Sequence, residues 1–132
     1  MKIGQFVTQQ QLLTVSPDQT LSDAGRQMIQ HGVGSAVVIA GDEPPGIITE
    51  RDLLRAIADG VDFDVAKVSE YMASKAVTVT DRWHVVDAAG TMIDRGFRHL
   101  VVVDEDGKVT GIISIRDMVR ALLDDRRQTL AG

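Results

Sequence analysis

Two periods alternate along this chain. Short β-branched runs, "LLTVS" (12–16) and "AVTVT" (76–80), have the composition of strands. Each is followed by a segment with apolar residues at helical spacing. The first carries Leu21, Ala24, Met28 and Ile29 and stops at Gly32; the second carries Val85, Ala88, Met92 and Ile93 and stops at Gly96. Thr20 followed by Asp23 supplies a helix-start signal for the first of them. Next come near-continuous apolar runs, "SAVVIA" (35–40) and "HLVVVD" (99–104), which predict strands buried on both faces. In the second half, Asp106-Gly107 then predicts a hairpin turn. The first half has "GDEPPGII" (41–48) there, and its prolines cannot donate ladder hydrogen bonds. Each half closes on a helix, so the predicted order is β-α-β-β-α, twice. The leaders "KIGQFV" (2–7) and "KVSEYM" (67–72) read as short helices.

The two halves are one unit written twice. Residues 14–39 laid on 78–103 give nine identical pairs in 26. After one extra loop residue, "GIITERDLLRAI" (46–57) meets "GIISIRDMVRAL" (111–122), sharing Gly, Ile, Ile, Arg, Asp, Arg and Ala. The repeats divide the chain at 1–65 and 66–132. About 60 residues with few aromatics bury little area, so neither copy is expected to stand alone. The fold class is α+β, with the tandem repeats packed about a pseudo-two-fold axis and two related clefts.

Composition narrows the function. The 132 residues suit one ordinary core, with 44% hydrophobic and 25% charged residues. A net charge of −5 argues against a nucleic-acid partner, which wants a basic face. Zero cysteines excludes disulfides, thiolate metal sites and cysteine nucleophiles. The apolar runs fall far short of the about 20 residues of a membrane span, and "MKIGQFVTQQQ" lacks the apolar run of a secretion signal. A cytoplasmic location is expected. The three histidines stand far apart without paired acids, so no metal site is expected. No nucleophile elbow, phosphate-cradling Walker loop or paired acid–base couple is present, so no catalytic residue is assigned and an enzyme is not expected.

The repeated phrase has a structural use and a chemical one. Thr49-x-x-Asp52 and Ser114-x-x-Asp117 fit the box in which a hydroxyl and an acid cap a helix start. Yet Gly46 and Gly111 permit close approach to the backbone, and Arg51 and Arg116 repeat beside the acids. A hydroxyl and free amides at a helix start favour phosphate, while an aspartate can grip a ribose diol. Together these groups suit a ribose phosphate.

On these residues the chain resembles the cystathionine β-synthase (CBS) domain pair, the Bateman module, over essentially its whole length. The hallmark stands as "GIITERD" and "GIISIRD", and "GFRHLVVVDEDGKVTGII" is similar to the family's most typical stretch. The resemblance implies a regulatory module that binds an adenine nucleotide (AMP, ADP or ATP) in inter-repeat clefts, with no required cofactor. It also implies roles. Asp52 and Asp117 would take the ribose hydroxyls, Thr49 and Ser114 would sit beside ribose or phosphate, and Ile47 and Ile112 would line the adenine. The Asp52 cleft would add Val77, Arg98 and His99; the Asp117 cleft would add Leu13, Gly34 and Ser35. The clefts would differ, since Arg98 and His99 bring cationic donors. A homodimer is implied, paired through Leu53, Leu54, Ile57, Met118, Val119 and Leu122 on the helices after each hallmark. With no effector domain in the chain, regulation would act in trans on a separate protein. The alternative is a scaffolding protein with vestigial, empty clefts.

Overall fold

The computed structural model describes residues 1–7 and 12–131, leaving aside the side chains of 6, 125 and 127–131. Its elements follow the predicted order: α1 (Gly4–Val7), β1 (Thr14–Val15), α2 (Leu21–His31), β2 (Ser35–Val38), β3 (Gly46–Thr49) and α3 (Glu50–Asp59). The second copy runs α4 (Val68–Tyr71), β4 (Thr78–Thr80), α5 (Val85–Arg95), β5 (His99–Val103), β6 (Val109–Ser114) and α6 (Ile115–Ala131). The fold is a mixed α+β tandem repeat. Each repeat builds a three-stranded sheet whose middle strand runs parallel to the first and antiparallel to the third. The hallmark phrase straddles a boundary: its apolar half ends a strand and its acidic half starts a helix.

The chain forms two compact units, Gln11–Ala76 and Met1–Gln10 with Val77–Gly132. They cut across the sequence repeats, because each leader packs with the other copy. In the first-repeat unit the Leu21 amide donates to the Ala66 carbonyl at 2.9 Å, and Val68 donates to Gln19. In the second-repeat unit the Val85 amide donates to the Met1 carbonyl at 3.0 Å, and Ile3 donates to Trp83. The Leu21 and Val85 bonds satisfy amides at the starts of α2 and α5, which a helix cannot satisfy internally. His84 precedes α5 without a side-chain cap, so the Met1 carbonyl does that work there. The division of the chain at residue 65 therefore describes the duplication, and the packing follows a different cut.

Each unit has its own core. In the first-repeat unit Val15, Leu21, Ala24, Met28, Ala36, Val38, Ile48, Ala56 and Val68 come together. In the second-repeat unit Ile3, Val79, Val85, Met92, Leu100, Val102, Ile113 and Met118 do the same. Val37 and Val101 lie outside these clusters and are also fully buried, so both middle strands are covered on both faces as expected. Ile29 and Ile93 depart from expectation, being 84% and 73% exposed. A helix turns about 100° per residue, so each isoleucine swings off the stripe held by the methionine before it. Among the described residues no helix is long and apolar enough to cross a membrane.

The hairpins differ as their sequences do. Gly107 takes φ 80°, the left-handed conformation that the tight β5–β6 turn demands, and the Asp104 amide donates to the Lys108 carbonyl. The prolines at 44 and 45 lie between β2 and β3, outside the ladder.

Candidate functional site

The two strand-to-helix turns are built alike. At the start of α3 the Asp52 amide donates to Thr49 Oγ1 at 3.3 Å, and Asp52 Oδ2 accepts from the Thr49 amide at 2.9 Å. The Thr49 hydroxyl donates to the same Oδ2 at 3.1 Å. At the start of α6 the Asp117 amide donates to Ser114 Oγ at 3.1 Å, and Asp117 Oδ2 accepts from the Ser114 amide at 2.8 Å. Both aspartates are half-buried. Each therefore spends one oxygen, Oδ2, on its own cap. The capping use of the motif is present, and Oδ1 of each aspartate takes no part in it.

Strand register decides what stands beside each turn. Ser35 pairs with Thr49, and the Glu50 amide donates to the Gly34 carbonyl. His99 pairs with Ser114, and the Ile115 amide donates to the Arg98 carbonyl. The entrance of each middle strand thus lies next to the cap of its own unit. One entrance has the small residues Gly34 and Ser35, with the Glu50 carboxylate lying against Gly34; the other carries an exposed Arg98 and a half-buried His99. Asp52 belongs to one unit, and Val77, Arg98 and His99 to the other.

Several expected site residues have structural duties. Leu13 is buried in the first-repeat core, and Val77 packs against the second-repeat core. Their carbonyls accept from the Val37 and Val101 amides, so both serve the sheets. Ile47 uses its backbone N–H and C=O on Ala73, each at 2.9 Å, and is itself buried. Ile112 is similarly buried, at 7% exposure. The close approach anticipated at Gly46 comes from the chain itself. A Cβ there would stand 2.8 Å from the Ala73 carbonyl, inside the contact limit.

The expected pairing face also needs correction. Leu54, Ile57, Val119 and Leu122 are exposed, but Met118 is fully buried and Leu53 packs against its unit's core. Met118 therefore holds α6 to its sheet and is not available to a second copy, and Leu53 is partly turned to its own core.

Sequence reasoning missed the surroundings of Asp52. Arg55 places a guanidinium nitrogen 3.3 Å from Asp52 Oδ1. The same nitrogen donates to the Tyr71 carbonyl at 3.0 Å, and the guanidinium lies 5.7 Å from the centre of the Tyr71 ring. The Tyr71 hydroxyl donates to Asp59 Oδ2 at 2.8 Å. That hydrogen bond, with lesser help from burial and from the Asp59 and Glu70 charges, raises the Tyr71 pKa, while Arg55 opposes the rise. The available signal was the repeated arginine at 55 and 120, three residues after each aspartate. Among the described residues there is no cluster of histidine and acids able to hold a metal ion.

A duplicated β-α-β-β-α unit with a hydroxyl-and-acid turn in each copy defines a class of tandem-repeat α+β modules. Known proteins make the class specific. The CBS domain model matches residues 3–59 and 68–124, so this chain belongs to the CBS domain family. An uncharacterized 17.7 kDa protein of Acidianus ambivalens is 42% identical over 124 residues, spanning 93% of this chain and 74% of that protein. A CBS domain protein of Pyrobaculum aerophilum, solved in complex with AMP, superposes with TM-score 0.78 at 30% identity, covering 89% of each chain. CBSX2 of Arabidopsis thaliana, also solved with AMP, gives TM-score 0.74 at 30% identity, covering 95% of this chain and 98% of that one.

Proposed function

We propose that this protein is a regulatory module that binds an adenine nucleotide of the AMP, ADP or ATP class and modulates a separate protein in trans. The observation that carries the proposal is the pair of matched turns, each keeping one carboxylate oxygen, Oδ1, out of its own cap beside helix-start amides. Two similar CBS proteins of known structure hold AMP, which supports the same ligand class. Asp52 and Asp117 take ribose hydroxyls, and Thr49 and Ser114 stand beside ribose or phosphate. The side chains of Ile47 and Ile112, with Leu13 and Val77, provide apolar surface for the base. Arg98 and His99 supply cationic donors for phosphate, the charge-assisted kind of hydrogen bond. No catalytic step is assigned to these groups: they bind and orient. The exposed faces of α3 and α6, with Leu54, Ile57, Val119 and Leu122, serve self-association into a homodimer.

The test is a thermal-shift panel with AMP, ADP, ATP, S-adenosylmethionine and NADH at millimolar concentration. Stabilisation by at least one phosphorylated adenosine is expected, since a ligand that binds only the folded state raises its stability by mass action. No shift with any of them would favour the scaffold reading.

A further inference from the structure

The two aspartates are not equivalent. Asp52 Oδ2 is committed to the Thr49 amide and hydroxyl, so its available acceptor is Oδ1. That oxygen is the one facing Arg55. In the other unit, Asp117 Oδ2 is committed to Ser114, and among the described residues no cation pairs with Asp117. Arg120 occupies the place in the repeat that corresponds to Arg55, yet it joins no ion pair among the described residues. Both copies carry the arginine. Only the first copy turns it onto the acid.

Arg55 is also fastened at its far side. It donates to the Tyr71 carbonyl, its guanidinium faces the Tyr71 ring, and Asp59, one helical turn further along α3, takes the Tyr71 hydroxyl. Residues 52, 55 and 59 share one face of α3, following the spacing of side-chain neighbours on a helix. They form a chain of contacts from the Asp52 carboxylate to α4. The segment after α4 returns to β3 through Ala73 and to Pro45 through Ala76, and it then leads directly into β4.

We propose that Arg55 is a positioning residue that couples ribose binding at Asp52 to α4: a diol that takes Asp52 Oδ1 displaces the guanidinium and frees it from Tyr71. The inference rests on the nucleotide reading above and adds the residue that transmits occupancy. A diol donates to a carboxylate and a guanidinium donates to it as well, so the two compete for the same lone pairs. The arginine side chain is 58% exposed, so the pair is weak enough to break on binding. The cost to the ligand is correspondingly small, roughly two- to fivefold in affinity. Among the described residues the Asp117 turn carries no such latch, so ligand there leaves its own unit's helix start unchanged in this respect.

Tyr71 is the only tyrosine, which makes it a clean reporter. The experiment titrates AMP into ring-labelled protein, following Tyr71 by nuclear magnetic resonance and binding by calorimetry. It uses the natural chain, Arg55→Gln, Arg55→Lys and Arg120→Gln. In the natural chain AMP is expected to shift the Tyr71 ring resonances, whereas adenine, which lacks the diol, leaves them in place. Arg55→Gln should tighten AMP binding by about two- to fivefold and abolish the Tyr71 response. Arg55→Lys should restore part of the response, and Arg120→Gln should behave as the natural chain. If AMP binds but Tyr71 does not respond, or if Arg55→Gln weakens binding, the coupling is wrong while the nucleotide reading stands. If AMP gives neither heat nor shift, the nucleotide reading fails and the coupling fails with it.

Discussion

Replacing Asp117 separates capping from binding, because one residue serves both. Asp117→Ala removes the 2.8 Å bond from the Ser114 amide to Oδ2 but leaves the residue 117 amide free to donate to Ser114 Oγ. Half of the capping box survives. Loss of the other half, together with loss of an acid from the first turn of α6, costs about 1 kcal/mol. For a chain of this size that lowers Tm by roughly 3–5 °C. Binding should suffer more. A ribose diol donates two hydrogen bonds to a charged acceptor, each contributing about 1.5–3 kcal/mol, so affinity at this turn should fall by about tenfold or more. Asp117→Asn keeps an acceptor oxygen without the charge. It should retain most of the stability and lose an intermediate part of the affinity. Urea denaturation measures the first quantity, and AMP calorimetry measures the second. If both variants lose stability as described while AMP affinity changes by less than about threefold, Asp117 is a cap and nothing more. The ribose assignment would then be refuted.

Other expectations follow from the same geometry. Arg98→Ala should weaken AMP about tenfold while leaving adenosine nearly unchanged, since one charge-assisted contact to phosphate is lost; paired calorimetric titrations check it. Tyr71 should ionise above the ordinary tyrosine value of about 10, and Asp59→Asn should bring it down. The sign follows from the raised folded value: the neutral ring favours the fold below the unfolded pKa, and that contribution disappears as pH rises through the folded pKa. Near-ultraviolet absorbance reads the titration directly. Met118→Ala should cost about 2–5 kcal/mol, because it empties a fully buried site, while Ile93→Ala should cost under about 0.5 kcal/mol; urea unfolding distinguishes them. Ile57→Asp should leave the fold intact and shift the sedimenting species toward monomer, because Ile57 is 62% exposed on the face assigned to pairing.

Much of this protein was legible in the sequence because the deciding forces were local. The order of elements, the starts of α2 and α3 at Thr20 and Thr49, and the hairpin at Gly107 all depend on residues within a few positions of one another. The capping acids Asp52 and Asp117 were visible for the same reason, three residues from the hydroxyls they serve. The tertiary structure alone decided the rest. Each leader joins the other copy because the open amides of α2 and α5 find carbonyls at Ala66 and Met1, partners far away along the chain. Met118 goes inward while Val119 stays out because the sheet, not the apolar count, chooses the buried stripe of α6. Gly46 answers to the Ala73 carbonyl, a contact that periodicity does not encode. The same holds for the arginines at 55 and 120, which occupy equivalent places in the repeat, three residues after each aspartate. Arg55 meets Asp52 and a tyrosine 16 residues away, and Arg120 joins no ion pair among the described residues. Duplicated sequence specifies duplicated local structure; the differences between the copies arise where distant segments supply unlike neighbours.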